Sequence, residues 1–183
     1  MKKFLTLALA ALSFFGAATA ANNNKKAAPK DTLVFTTIVS APVTSIKNQN
    51  NSGTCWAYSS LAFLESEALK KNPSLKPADV DLCESFVVSK TYNDRADRAV
   101  RTHGDVSFSQ GGSFYDVIYC MDRYGLVPEG TMPYPKTLYG DSLFNFKHFF
   151  PGLEAFVGSV AKGDHKTINP IWKKTVAQMV DGY

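Results

Sequence analysis

Apolar residues fall at helical spacing from Thr54 onward. Ala57, Leu61, Leu64 and Ala68 recur at three- and four-residue steps, flanked by Tyr58, Ala62 and Leu69. That periodicity predicts one amphipathic helix. Lys70 and Lys71 suit its C-terminal end, and Pro73 lies just beyond it. A second helix is predicted within 76–104, after some loop residues. Leu82, Phe86, Val87, Ala96, Ala99 and Val100 line one side of it, and His103-Gly104 marks its end. A third helix follows the pair Gly111-Gly112, with Phe114, Val117, Ile118 and Met121 as its apolar stripe and Gly125 as its C-cap. From Pro133 to Pro151 the chain reads as aromatic loop, with further helical stretches near 153–160 and 170–180.

Upstream the pattern changes. The run from Thr32 to Gln49 is rich in Val, Ile, Thr and Phe and reads as extended chain, with Pro42 limiting any central strand. Asn48 to Gly53 is a turn by composition. The first twenty residues read as an export signal: Lys2 and Lys3, an apolar run from Phe4 to Ala18, then Ala18-Thr19-Ala20. The run falls short of the roughly 20 apolar residues a membrane span needs. The expected organisation is a signal peptide over 1–20, a polar leader over 21–31 and one domain over 32–183, in a periplasmic or secreted protein.

Charge narrows the partners. Twenty Lys and Arg face sixteen Asp and Glu, a net charge of +4. Two of the lysines lie in the signal. The remaining balance predicts neither nucleic acid nor an anionic membrane as a partner. Three cysteines in an exported chain make an odd count, and the leftover is a candidate reactive thiol. No Cys/His pair has metal-ligand spacing, so no metal or cofactor is expected.

Cys55 is the candidate nucleophile. A cysteine attacks as its thiolate, and a helix N-terminus offers unsatisfied N–H groups and partial positive charge. Cys55 sits at the predicted helix start, just past the turn. Acyl chemistry also needs donors aimed at the developing oxyanion. The backbone N–H of Cys55 is one, and the side-chain amide of Gln49, six residues upstream, is another. Gly53 permits close approach. The plainer reading of a helical cysteine is a small buried hydrophobe.

The segment Asn48 to Ser60, "NQNNSGTCWAYSS", resembles the active-site segment of papain-like cysteine peptidases. Its Ser-Gly-Xaa-Cys-Trp form resembles the bleomycin hydrolase and aminopeptidase C branch. "DLCESFVV" is similar to the family's Leu-Ser-Glu segment, with Cys83 where Ser is usual. "SQGGSFYDVIYCMDRYGLVPEGTMPY" is similar to its glycine-pair segment. The resemblance runs from Val43 to Tyr134 and implies an α+β, papain-like fold, of which this chain is mainly the helical, nucleophile-bearing half. It implies Cys55 as nucleophile, Gln49 as oxyanion donor, and Gly111 and Gly112 as backbone for a peptide substrate. Trp56 would lie buried behind the site. The branch's ring-shaped assemblies make a homo-oligomer an option.

Two departures matter. Ser52 stands where most papain relatives carry a disulfide cysteine. Cys83 and Cys120 are expected buried and unpaired, although an oxidising compartment leaves a bridge between them open. The family's His and Asn usually follow the nucleophile by about 130–150 residues, beyond Tyr183. None of His103, His148 and His165 has the expected setting of a strand followed by glycines. The resulting expectation is an exported, aminopeptidase-like cysteine peptidase, inactive as this chain. A non-catalytic peptide-binding module and a transglutaminase-like thiol acyl-transferase are the alternatives.

Overall fold

The computed structural model describes residues 35–132, 143–164 and 166–183. The expected signal peptide and leader, the stretch 133–142 and His165 lie outside the described residues. Of the N-terminal unit, Met1–Ile38, only 35–38 are described, as exposed chain without helix or strand.

Among the described residues of the second unit, Val39–Tyr183, five helices form. They are α1 (Cys55–Lys71), α2 (Glu84–Arg101), α3 (Phe114–Tyr124), α4 (Phe146–Lys162) and α5 (Ile171–Asp181), with short 3-10 turns at Pro77–Asp79 and Glu129–Thr131. The second helix packs against each of the other four. Its Tyr92 is fully buried, ringed by Phe150 at 5.5 Å, Phe108 at 5.9 Å and Phe146 at 6.1 Å. Among the described residues no strand forms. The only bridges are the isolated pairs Asn51 with Asn145 and Leu82 with Pro128. The described part of the expected α+β fold is therefore its helical part, and 39–49 crosses it as irregular chain.

The periodicity places α1, α2 and α3 well. Gly125 caps α3 at φ +80, and His103 and Gly104 leave α2 at φ +53 and +87. Two expectations fail. Val117 is buried as expected, but Phe114 and Met121 are surface residues, and Cys120 joins Val117 on the buried side of α3. Among the described residues its main packing partners are α1 and α2, so its covered stripe is narrow.

The stretch to Pro151 is not all loop, because α4 begins at Phe146 and carries Pro151 inside it. An interior proline costs about 3 kcal/mol. Phe146, Phe150 and Leu153 lie at helical spacing and are all buried. Burying each contributes roughly 1.5–3 kcal/mol, which outweighs the proline. Asn145 caps the start, its side chain accepting from Lys147 N.

The irregular run into α1 is held by charge. Lys47 Nζ lies 2.8 Å from Asp81, 2.9 Å from Glu84 and 3.2 Å from Glu129, and donates to Leu82 O at 2.6 Å. Beside it, buried Glu65 accepts from Thr44 Oγ1 at 2.5 Å and Leu82 N at 2.8 Å. Burial pushes the Glu84 carboxyl up to about 7, against its Lys47 hydrogen bond. Burial pulls Lys47 down, yet its bonds to Asp81 and Glu84 hold it above the ordinary lysine range. Both groups are therefore shifted up, Glu84 by its burial and Lys47 by its carboxylate partners.

Folded Glu84 thus binds its proton more tightly than unfolded Glu84. Its contribution to stability is full below about 4.5 and is lost as pH rises through about 7. Removing the cation sharpens that loss. Lys47→Met is expected to cost about 3–5 kcal/mol at pH 8, the usual effect of stranding buried carboxylates. The cost should shrink at pH 5, as Glu84 takes up its proton. Urea unfolding at both pH values checks this, and a pH-independent difference would contradict it.

Candidate active site

Local turn chemistry sets the approach to α1. Asn48 Oδ1 accepts from Asn50 N at 2.8 Å, and Asn50 adopts φ +49, a left-handed conformation that Asn tolerates. Ser52 N closes the turn on Asn50 O at 3.0 Å. Thr54, fully buried, is the N-cap; its hydroxyl shares a 2.5 Å hydrogen bond with Ser52 Oγ. Cys55 is then the first residue of the helix and is exposed, whereas Trp56 is buried. Successive helical positions are rotated by about 100°, so one residue faces solvent while its neighbour enters the core.

A second segment is strapped against this turn. Trp56 Nε1 donates to Gln110 O at 3.0 Å, and Tyr92 OH donates to the same oxygen at 3.3 Å. Gly53 N donates to Gln110 Oε1 at 2.8 Å. Arg95 reaches from α2 with its guanidinium carbon 5.3 Å from the Trp56 ring centroid. It donates to Ser109 O at 3.1 Å and to Gly111 O, and pairs with Asp116 at 2.9 Å. This draws the Asp116 carboxyl below its ordinary range, against the opposing effect of burial.

Gly112 closes the strap over Trp56. A Cβ there would lie 2.5 Å from Trp56 Cδ2 and 2.8 Å from Arg95 Nη2, whereas a Cβ on Gly111 would meet nothing within 4 Å.

Between turn and strap lies an open groove of about 430 Å³, lined by Cys55, Ser59, Gly112, Ser113 and Phe114 among others. The structure thus brings Cys55 and Gly112 together. Gln49 stays on the turn, where Nε2 donates to Ser52 O at 2.7 Å, and is not a lining residue of the groove. A larger depression of about 650 Å³ between α2 and α3 shares Ser113. Its charged side chains include the pairs Arg95 with Asp116 and Arg101 with Asp97, and its one thiol, Cys120, is buried and pushed up to about 11, so chemistry rather than size selects the smaller groove.

His103 and His148 are exposed, and neither lines the groove. Cys83 and Cys120 are buried and free, as expected. Burial pushes both thiols up, Cys120 to about 11. Among the described residues no group of three or more His, Cys, Asp or Glu is arranged to hold a metal ion.

The Peptidase C1-like family profile matches residues 4–142, a span that contains the whole of this site. The chain belongs to the Peptidase C1-like family. Over 135 residues it is 28% identical to "Aminopeptidase G" of Lactobacillus delbrueckii subsp. lactis, covering 62% of this chain and 28% of that protein. It is 25% identical over 150 residues to "Cysteine proteinase 1, mitochondrial" of Saccharomyces cerevisiae, covering 72% and 30%. It is 27% identical over 135 residues to "Aminopeptidase E" of Lactobacillus helveticus, covering 62% and 28%. The chain spans less than a third of each of these relatives. The resemblance to papain-like peptidases read from the motifs is confirmed at the level of the family.

Gln110 and Arg95 were not legible as site residues. Gln110 precedes the glycine pair, and Arg95 sits in a charged run that reads as a solvated helix face. The two glycines make the contrast testable. Gly112→Ala should displace the indole and cost about 1–3 kcal/mol, as overpacking does, with a shift in tryptophan emission. Gly111→Ala should leave both nearly unchanged. Thermal denaturation and fluorescence of the pair check this, and equal effects would rule the packing account out.

Proposed function

We propose that this chain is the nucleophile-bearing part of an exported cysteine peptidase with aminopeptidase-like action on peptide substrates. The observation that carries this is Cys55: exposed at the first position of α1, in one groove with Gly112, with Gln49 on the adjoining turn. The aminopeptidase reading draws on the names of two relatives. A peptide laid along Gly111–Gly112 would present its carbonyl to Cys55. The sulfur forms the S–C bond while the C–N bond breaks, and the departing amine takes a proton. Water then cleaves the thioester, releasing the acid and the thiol. The Cys55 N–H and the Gln49 amide would receive the oxyanion. The general base would be a histidine outside the groove described here.

A non-catalytic peptide-binding module is the competing reading, favoured by the absence of His103 and His148 from the groove. A thiol-directed peptidase probe on the mature protein from its native source separates the two. Labelling of Cys55 alone, with peptide hydrolysis that Cys55→Ser abolishes, is the expected outcome. Gln49→Ala should lower kcat by about 10²–10³-fold. A protein that binds peptide but neither reacts with the probe nor hydrolyses substrate would be the module.

A further inference from the structure

The peptide group between Ser52 and Gly53 is gripped at both ends by glutamine side chains. At its carbonyl, Gln49 Nε2 donates to Ser52 O at 2.7 Å. At its amide, Gly53 N donates to Gln110 Oε1 at 2.8 Å. A trans peptide is planar, so its C=O and N–H point in opposite directions and turn together. Holding the Gly53 N–H on Gln110 therefore sets where the Ser52 carbonyl points. That carbonyl in turn engages one N–H of Gln49. A primary amide has two, and the second is left for another acceptor.

Gln110 is itself anchored. Its backbone oxygen receives both the Trp56 indole N–H and the Tyr92 hydroxyl. It also approaches the turn closely: a Cβ on Gly53 would lie 2.8 Å from Gln110 Cβ, so only glycine admits this contact. Gln110 is covalently joined to Gly111-Gly112, so the strap and the Gln49 amide share one rigid register.

We propose that Gln110 is a positioning residue that orients the oxyanion-donating amide of Gln49 through the Ser52–Gly53 peptide plane, a role that rests on the peptidase reading above. Gln110 touches no reacting atom. Its loss should act on the transition state and leave substrate binding alone.

The test uses the full mature enzyme and an aminoacyl-amide substrate. Gln110→Met keeps the bulk and removes the acceptor, while Gln110→Glu keeps an acceptor oxygen. Gln110→Met is expected to lower kcat about 10-fold with KM within twofold, and Gln110→Glu to stay near wild type. In a Gln49→Ala background, Gln110→Met should cost less than about twofold, because coupled residues are not additive. A crystal structure of Gln110→Met supplies a readout independent of turnover, in which Gln49 Nε2 should leave the Ser52 carbonyl. Full additivity of the two substitutions, or Gln49 unmoved in that crystal structure, would overturn the proposal. A wild-type enzyme without turnover would instead refute the peptidase reading, and the position of Gln49 would still decide this one.

Discussion

The indole N–H of Trp56 must find a partner, and the way it does so organises the site. A buried donor left unpaired costs about 1–3 kcal/mol, and Trp56 is buried. Its partner is the Gln110 carbonyl, which draws the strap across the ring. Once there, the strap requires glycine at 112, since any Cβ would enter the indole. The Arg95 guanidinium lies over the ring, and its hydrogens fix the Ser109 and Gly111 carbonyls. Cys55, one residue back on the same helix, is turned outward into the groove that this packing leaves.

The approach to the site is held differently. Val43 and Ile46 are exposed, so apolar burial does little for this segment. Lys47 fastens it, joining it to the start of α2 and to the turn at Glu129. An anchor of one cation among three carboxylates is strongest when one of the acids is protonated. The segment leading to the nucleophile therefore has a tie that weakens as pH rises, whereas the strap is held by neutral donors and by the Arg95–Asp116 pair, whose contribution is lost only as pH falls through the depressed Asp116 range.

Much of this was readable along the chain because it is local. Helix periodicity, the Asn/Ser/Gly turn and the Gly125 cap each depend on a few neighbouring residues. So does the exposure of Cys55, which follows from its place at a helix start beside a tryptophan bound for the core. The failures share one cause. Pro151 and the aromatic run before it looked like loop, and only the burial of Phe146 and Phe150 around Tyr92 makes them helix. Gln110, Arg95 and the Lys47 cluster act across 14 to 82 positions of sequence. No short window contains such pairings. Gly112 was legible as a required glycine, but its reason in the fold is the indole beneath it.

The turn before Cys55 is tied at three places by distant parts of the chain. Lys47 binds its beginning. At its middle, Phe146 N donates to Asn51 O at 2.8 Å. There Tyr183 buttresses Asn145, accepting from its N–H at 3.1 Å, and stacks on Phe149 at 4.2 Å. Gln110 binds its end. Each neutral hydrogen bond contributes about 1 kcal/mol net, so the backbone path of the turn is over-determined and survives the loss of one tie. The Gln49 amide has no such redundancy. It is oriented by a single carbonyl, and that carbonyl belongs to the one peptide plane Gln110 holds. Sensitivity should therefore concentrate at Gln110 and not at Asn145, although both bind the same turn.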